Sequence, residues 1–209
     1  MRRPFALICS ATLTLALATT AFTQSVESGF TSLFDGKSLE GWTLVGQRGE
    51  GYGVKDGVLY CARGGGGNLL TDKEYSDFVL RFEFKMPPEG SNNGLGIRTP
   101  REGDAAYAGM ELQIIDEAAA LAGKWGKLRD AQYHGSVYDV VAAKRGAMKP
   151  AGQWNTQEVT ARGRQITVVL NGQTVIDNVQ MPGIAPEGPI ALQYHGDEIE
   201  FANIFIREL

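Results

Sequence analysis

The chain has 209 residues, 20 basic against 24 acidic, and a formal net charge of −4. This balance argues against nucleic acid or an anionic membrane as partner, since both select basic surfaces. Of its two cysteines, Cys9 falls in a segment expected to be removed, which leaves Cys61 without an intrachain disulfide partner.

Arg2 and Arg3 precede an apolar run from Phe5 to Ala18, and Thr19-Thr20-Ala21 offers small residues for cleavage. Residues 1–21 therefore read as a secretory signal peptide. The run is too short and wrongly flanked for a membrane span, so none is expected in the mature chain, which would work in the periplasm or outside the cell. Ile8 before Cys9 argues against lipidation. Residues 22–209 are long enough for a single domain with its own core.

Leu33-Phe34-Asp35-Gly36 and Leu39-Glu40-Gly41-Trp42 place large apolar anchors beside a turn signal. Tyr52 to Tyr60 reads as two short strands around Lys55-Asp56-Gly57. The glycine run Gly64 to Gly67 lacks the following Lys and Ser or Thr of a phosphate loop, and reads as a flexible loop. Asp77 to Met86 alternates Phe78, Leu80, Phe82, Phe84 and Met86 with Val79, Arg81, Glu83 and Lys85. Asn92 to Thr99 places Leu95 and Ile97 on one face, and Asn92, Gly94, Gly96 and Arg98 on the other. Two glycines leave that second face open, so that something can approach the backbone.

In Gly109 to Glu117, Met110, Leu112 and Ile114 alternate with Glu111 and Gln113. Ile115 breaks the pattern and permits a bulge before Asp116. Arg101 to Ala108 and Glu117 to Asp130 are irregular, with a helical turn at Ala118 to Leu121. Tyr133 to Val141 reads as a strand with His134, Ser136 and Tyr138 on one face. Trp154 to Ala161 and Gln165 to Leu170 follow, and Asn171-Gly172 is a hairpin signal leading into Gln173 to Val179. Pro189 to His195 alternates Ile190, Leu192 and Tyr194 with Ala191, Gln193 and His195 before Ile199 to Arg207. No segment sustains a helical period, and strands recur about every ten residues, as in an all-β sandwich or barrel.

The polar faces carry Asn, Arg, Gln, His and Tyr rather than the Lys, Glu and Thr of an ordinary solvated face. Those side chains suit sugar hydroxyls, and aromatics stack on sugar rings. Asn92, Arg98, Gln113, Tyr138 and Gln193 are accordingly candidate substrate-binding residues. Glu111, Asp116, His134 and His195 are candidate acid–base groups. The same four would make a mixed divalent-metal site, but no short ligand spacing supports one, so no cofactor is firmly implied. No nucleophile elbow is present, and Cys61 at a strand end reads as a structural thiol.

Several pieces in order resemble the bacterial 3-keto-disaccharide hydrolase family. They are Leu33-Phe34-Asp35-Gly36-Lys37-Ser38-Leu39, Asn92 to Arg98, Gly109 to Asp116, His134 to Tyr138, Gln153-Trp154-Asn155, Leu170-Asn171-Gly172, Leu192 to Gly196 and Phe201 to Ile204. The sequence departs from the family pattern at His134, Met110 and Gly96. The resemblance implies a concanavalin-like jelly-roll β-sandwich of two antiparallel sheets, one of them concave. Glu111, Gln113 and Asp116 also have the spacing of the Glu-x-Asp-x-x-Glu strand of laminarinase-type glucanases, with an amide in the middle and a shorter last acid.

The implied activity is cleavage of the glycosidic bond of 3-keto-glycosides, by elimination across C1–C2 followed by hydration. Glu111 or His195 would be the base, and Asp116 would orient it or act as the acid. Arg98, Gln113 and Tyr138 would hold the ketone oxygen and hydroxyls, and His134 would be a second acid–base group. A non-catalytic lectin-like module and a classical glucan hydrolase are the alternatives.

Overall fold

The computed structural model describes residues 27–102 and 109–209; the expected signal peptide and residues 103–108 lie outside that description. Two antiparallel sheets face each other. One carries β11 (Gln173–Gln180), β10 (Gln165–Leu170), β9 (Asn155–Arg162), β6 (Phe78–Lys85), β13 (Ile199–Glu208), β4 (Val58–Cys61) and β3 (Tyr52–Lys55), in that order. Strand β1 (Thr31–Ser32) adds to β13. The other runs β2 (Trp42–Arg48), β5 (Gly66–Thr71), β12 (Ile190–Tyr194), β7 (Asn92–Ile97) and β8 (Met110–Ile115). This is the expected all-β sandwich of jelly-roll type.

The alternation in the sequence decides what lies between the sheets. Phe78, Leu80, Phe82 and Phe84 of β6 are buried against Leu95 and Ile97 of β7 and Leu112 and Ile114 of β8, within one continuous core. Trp42 and Phe34 are buried anchors, and the Trp42 indole donates to the Leu33 carbonyl at 2.6 Å. Asn171 (φ 49°) and Gly172 (φ 80°) make the tight turn between β10 and β11 that the Asn-Gly pair predicts.

Three expectations are corrected. The glycine run is not a free loop: Gly66 and Gly67 enter β5, where a Cβ at Gly67 would stand 2.8 Å from the Val45 carbonyl of β2. Glycine there permits the close approach of two backbones. No bulge forms at Ile115, because β7 and β8 pair without a break from Ile97–Met110 to Asn92–Ile115. Tyr133 to Val141 is not a regular strand; it makes isolated bridges, Leu112 to Val137 and Val137 to Val141. It nonetheless adds a partial rung to β8, with Gln113 N–H donating to Ser136 O at 2.9 Å and Tyr138 N–H to Glu111 O at 2.9 Å.

Arg98, just past β7, has φ 49°, and this left-handed step takes its side chain out of the alternation. Its buried guanidinium donates to the carbonyls of Ser76 (2.8 Å), Gly163 (2.6 Å) and Ala185 (3.3 Å), and pairs with Asp77 at 3.1 Å. Asp77 also accepts from Gly163 N–H at 2.8 Å, so one corner of the sandwich is tied together by this cluster. Arg98→Met would leave buried carbonyls without donors. The expected loss is about 3 kcal/mol of unfolding free energy, read as a lower denaturation midpoint.

Candidate functional site

On the outward face of the five-stranded sheet one cross-strand row reads Val45, Asn68, Gln193, Gly94 and Gln113 from β2 to β8. The next row contains Leu70, Ala191, Gly96 and Glu111, with Tyr138 added beside Glu111. Strand β7 lies in the middle and offers only glycines to both rows. Strands β8 and β12 flank it, about 9.6 Å apart, a distance that neighbouring side chains normally do not cross. A Cβ at Gly94 would sit 2.3 Å from Glu111 Oε1 and 2.3 Å from the Gln193 amide terminus. Glu111 and Gln193 meet in the space which that Cβ would fill.

With its amide nitrogen turned toward the carboxylate, the orientation that satisfies both neighbours, Gln193 donates to Glu111 Oε1 at 2.8 Å and Oε2 at 3.1 Å. The same nitrogen lies 3.0 Å from His195 Nε2, and the amide oxygen 3.3 Å from it. The imidazole can accept from the nitrogen or donate to the oxygen, according to its tautomer. Glu111, Gln193 and His195 thus form one connected set. Glu111 is 2% exposed and Gln193 4%, whereas His195 is exposed just beyond β12. The set runs from a buried carboxylate to a surface imidazole.

Two further oxygens share this face. Gln113 Oε1 and Asn92 Oδ1 are buried and have no hydrogen-bond partner among the described residues. Asn92 stands opposite Ile115, and its N–H donates to Asp197 at 3.1 Å. Buried acceptors without donors are costly, and bound water or a ligand's hydroxyls can supply the missing donors. Ile115 packs with Ala120 and Tyr133 under the loop that follows β8, and Trp125 and Leu128 close against them. This small second core walls the end of the face beside Asn92. Tyr138 is half-buried, and its hydroxyl accepts from Gln132 at 3.0 Å.

The structure gives three predicted site residues other partners. Arg98 is spent on the corner described above. Asp116 caps helix α1 (Glu117–Leu121), accepting from Ala119 N–H at 2.7 Å. Five residues of extended chain put its Cα about 17 Å from that of Glu111, against about 5–5.5 Å between the carboxyls of a double-displacement glycosidase. His134 lies inside the sandwich, stacked on Phe84 at 5.1 Å. Ile115 N–H donates to its Nδ1 at 3.3 Å, which places the ring proton on Nε2, 3.1 Å from Gln157 Oε1. Gly135 (φ 77°) turns the chain there, so His134 and Tyr138 do not share one strand face. Cys61 is buried, which pushes its thiol far up and removes it as a nucleophile. Among the described residues no three of His, Cys, Asp and Glu gather as metal ligands. The open face expected from Gly94 and Gly96 is present, and at Gly94 the space is filled by side chains from the two neighbouring strands.

Residues 29–207 match the model of the 3-keto-alpha-glucoside-1,2-lyase-like domain. A 3-keto-disaccharide hydrolase from Bacteroides thetaiotaomicron is 24% identical, with 87% of this chain and 79% of that protein aligned. A crystal structure of a candidate glycosyl hydrolase from Parabacteroides distasonis superposes with a TM-score of 0.71 at 26% identity, covering 87% of this chain and 94% of that one. The carbohydrate binding module CBM66 from Bacillus subtilis shares the fold at 15% identity and a TM-score of 0.58, covering 80% of this chain and 96% of that one.

Burial pushes the His134 imidazole down to about 4 from its ordinary 6.5. Between those values the unfolded chain takes up a proton that the folded chain refuses, so stability falls as pH drops from 6.5 toward 4. The expected loss from this residue is about 3 kcal/mol, complete just below pH 4 and absent above neutrality. Urea titrations of wild type and His134→Asn at pH 7 and pH 4 check it: the difference between the two proteins should shrink by that amount at the lower pH.

Proposed function

The chain belongs to the 3-keto-alpha-glucoside-1,2-lyase-like family, and from that premise we propose that it cleaves the glycosidic bond of 3-keto-glycosides. The observation that carries this reading is the Glu111–Gln193–His195 set on a face that also holds two unsatisfied acceptors. A carbohydrate-active role follows from the family at large; the keto-sugar substrate and its mechanism are our reading.

A ketone at C3 acidifies the hydrogen on C2. A base removes it, the electrons move into an enolate, and the C1 oxygen departs with a proton from an acid. Water then adds to the resulting enone, so that an elimination followed by a hydration gives net hydrolysis. Glu111 is the base: it is buried beside an amide donor that aims its oxygens, and it sheds no proton to bulk water directly. His195 is the acid for the departing oxygen, being exposed and able to exchange protons with solvent. Gln113 and Asn92 accept from ring hydroxyls, and Tyr138 stands opposite Glu111 to hold the sugar at the rim. The mature protein, freed of residues 1–21, would act in the periplasm or outside the cell.

This scheme has no need of a second carboxylate close to Glu111, which fits the capping role of Asp116. Purified protein should release product from a 3-keto-disaccharide and leave the unoxidised parent intact. Glu111→Gln and His195→Ala should each lower kcat by about 100-fold or more. Full turnover in both variants would refute the scheme; cleavage of the parent sugar would point to a classical glucan hydrolase, and binding without turnover of either sugar to a lectin-like module.

Gly94→Ala tests the geometry separately. Its methyl group would need the space held by Glu111 and Gln193. Because it lies on the outward face and not in the core, activity should fall by about 100-fold while unfolding free energy changes by no more than about 2 kcal/mol. Paired kinetics and thermal unfolding read both.

A further inference from the structure

The outward face of the other sheet carries a second row that the proposed activity does not use. Register places Gly53 opposite Tyr60, Tyr60 opposite Glu200, and Glu200 opposite Lys85. Phe84 pairs with Asn155, so Lys85 lies level with Trp154 just ahead of β9. The row therefore reads Gly53, Tyr60, Glu200 and Lys85 across four strands and ends on Trp154 at the entry to β9, with an aromatic near each end and an ion pair between.

The side chains in this row are fixed. A Cβ at Gly53 would lie 2.6 Å from Cζ and Oη of Tyr60, so the phenol end of the ring rests on the bare backbone of β3. Its hydroxyl donates to Glu50 at 3.0 Å, which holds the ring there. Lys85 pairs with Glu200 at 2.5 Å and stands 5.0 Å from the centre of the Trp154 ring. A trough of about 590 Å³ runs past Tyr60, Glu200 and Lys85, and an adjoining one of about 240 Å³ continues past Lys85 and Glu200 to Pro87 and Pro88.

We propose that this strip is a second, non-catalytic binding site for a neutral oligosaccharide chain. Three strand spacings separate Tyr60 from Trp154, about 14 Å, the span of a short run of linked sugar rings. The apolar faces of sugars stack on aromatic rings, and their hydroxyls both donate and accept, as the Glu200 carboxylate and Lys85 ammonium require. Those two charges neutralise each other, and the trough walls carry both signs, Lys55 and Arg63 with Glu50, Asp56 and Glu198. A ligand of either sign would meet repulsion as well as attraction there, whereas a neutral polyhydroxylated chain would not. The strip lies on the opposite sheet from Glu111, so it would hold a polymer to the protein without occupying the catalytic face.

Native gel electrophoresis through gels cast with soluble glucans, mannans and xylans tests this, with calorimetry on the matching trisaccharides. Wild type and Glu111→Gln should be retarded alike by at least one neutral polysaccharide. Tyr60→Ala and Trp154→Ala should each weaken that binding by about tenfold and leave turnover of a small 3-keto-disaccharide unchanged. If Tyr60→Ala does not fold, Gly53→Ala serves instead, since its methyl group must lift the ring. No retardation of wild type by any polysaccharide in the panel overturns the proposal, and so does equal retardation of the variants. Binding lost only in Glu111→Gln would assign the sugar to the other sheet and overturn it too.

Discussion

The absence of side chains at Gly94 and Gly96, on the outward face of β7, is the constraint from which the candidate site follows. Glycine in a central strand weakens it, since it contributes no packing and more backbone entropy is lost on folding. Here two glycines alternate with Leu95 and Ile97, which are wholly buried on the other face, so the core anchors the strand from one side. The outward side is then free to be shaped by function. Side chains from β8 and β12 meet above β7, and the carboxylate of one segment joins the amide and imidazole of another in a single hydrogen-bonded set. Any other residue at Gly94 would separate them.

That arrangement gives Glu111 a surrounding unlike a surface acid. It is buried on a sheet, held by an amide that donates to both of its oxygens, and connected to solvent through His195. A carboxylate taken out of water needs compensating hydrogen bonds, and the Gln193 amide supplies one to each of its oxygens. Such a setting is what the proposed scheme asks of its base.

The sandwich was legible because its strands are strongly alternating: β6, β7, β8, β10, β12 and β13 each declare an inner face by period-two hydrophobicity. Strand β2 was not, since Thr43 to Arg48 carries mixed polarity and Gly46, and its pairing with β5 shifts register between Val45 and Arg48. In the site, alternation pairs Glu111 with Gln113, Gly94 with Gly96 and Gln193 with His195 strand by strand, with the sheet register bringing those faces together. It failed where the backbone leaves the extended region. A left-handed Arg98 carries its guanidinium to the Ser76, Gly163 and Ala185 carbonyls, and Gly135 separates His134 from Tyr138. Asp116 was misjudged for another reason: an acid just ahead of a short helix satisfies the helix's own N–H groups first.

The two histidines show why residue type alone could not assign the chemistry. His134 and His195 are equally plausible acid–base groups in a sequence. Burial separates them: the first sits between Phe84 and the Gln157 amide, where the charged form is penalised, and the second reaches water. In the proposed scheme an acid that is reprotonated in every cycle has to exchange with solvent, and of the two histidines His195 is the one that reaches it. The same distinction applies to the glycines. Gly94 and Gly53 lie on opposite sheets, yet each removes a Cβ so that a polar or aromatic side chain from a neighbouring strand can lie across the backbone. In a sandwich whose inner faces are committed to packing, deleting a side chain from one strand is a direct way to bring residues of its neighbours together on the outside.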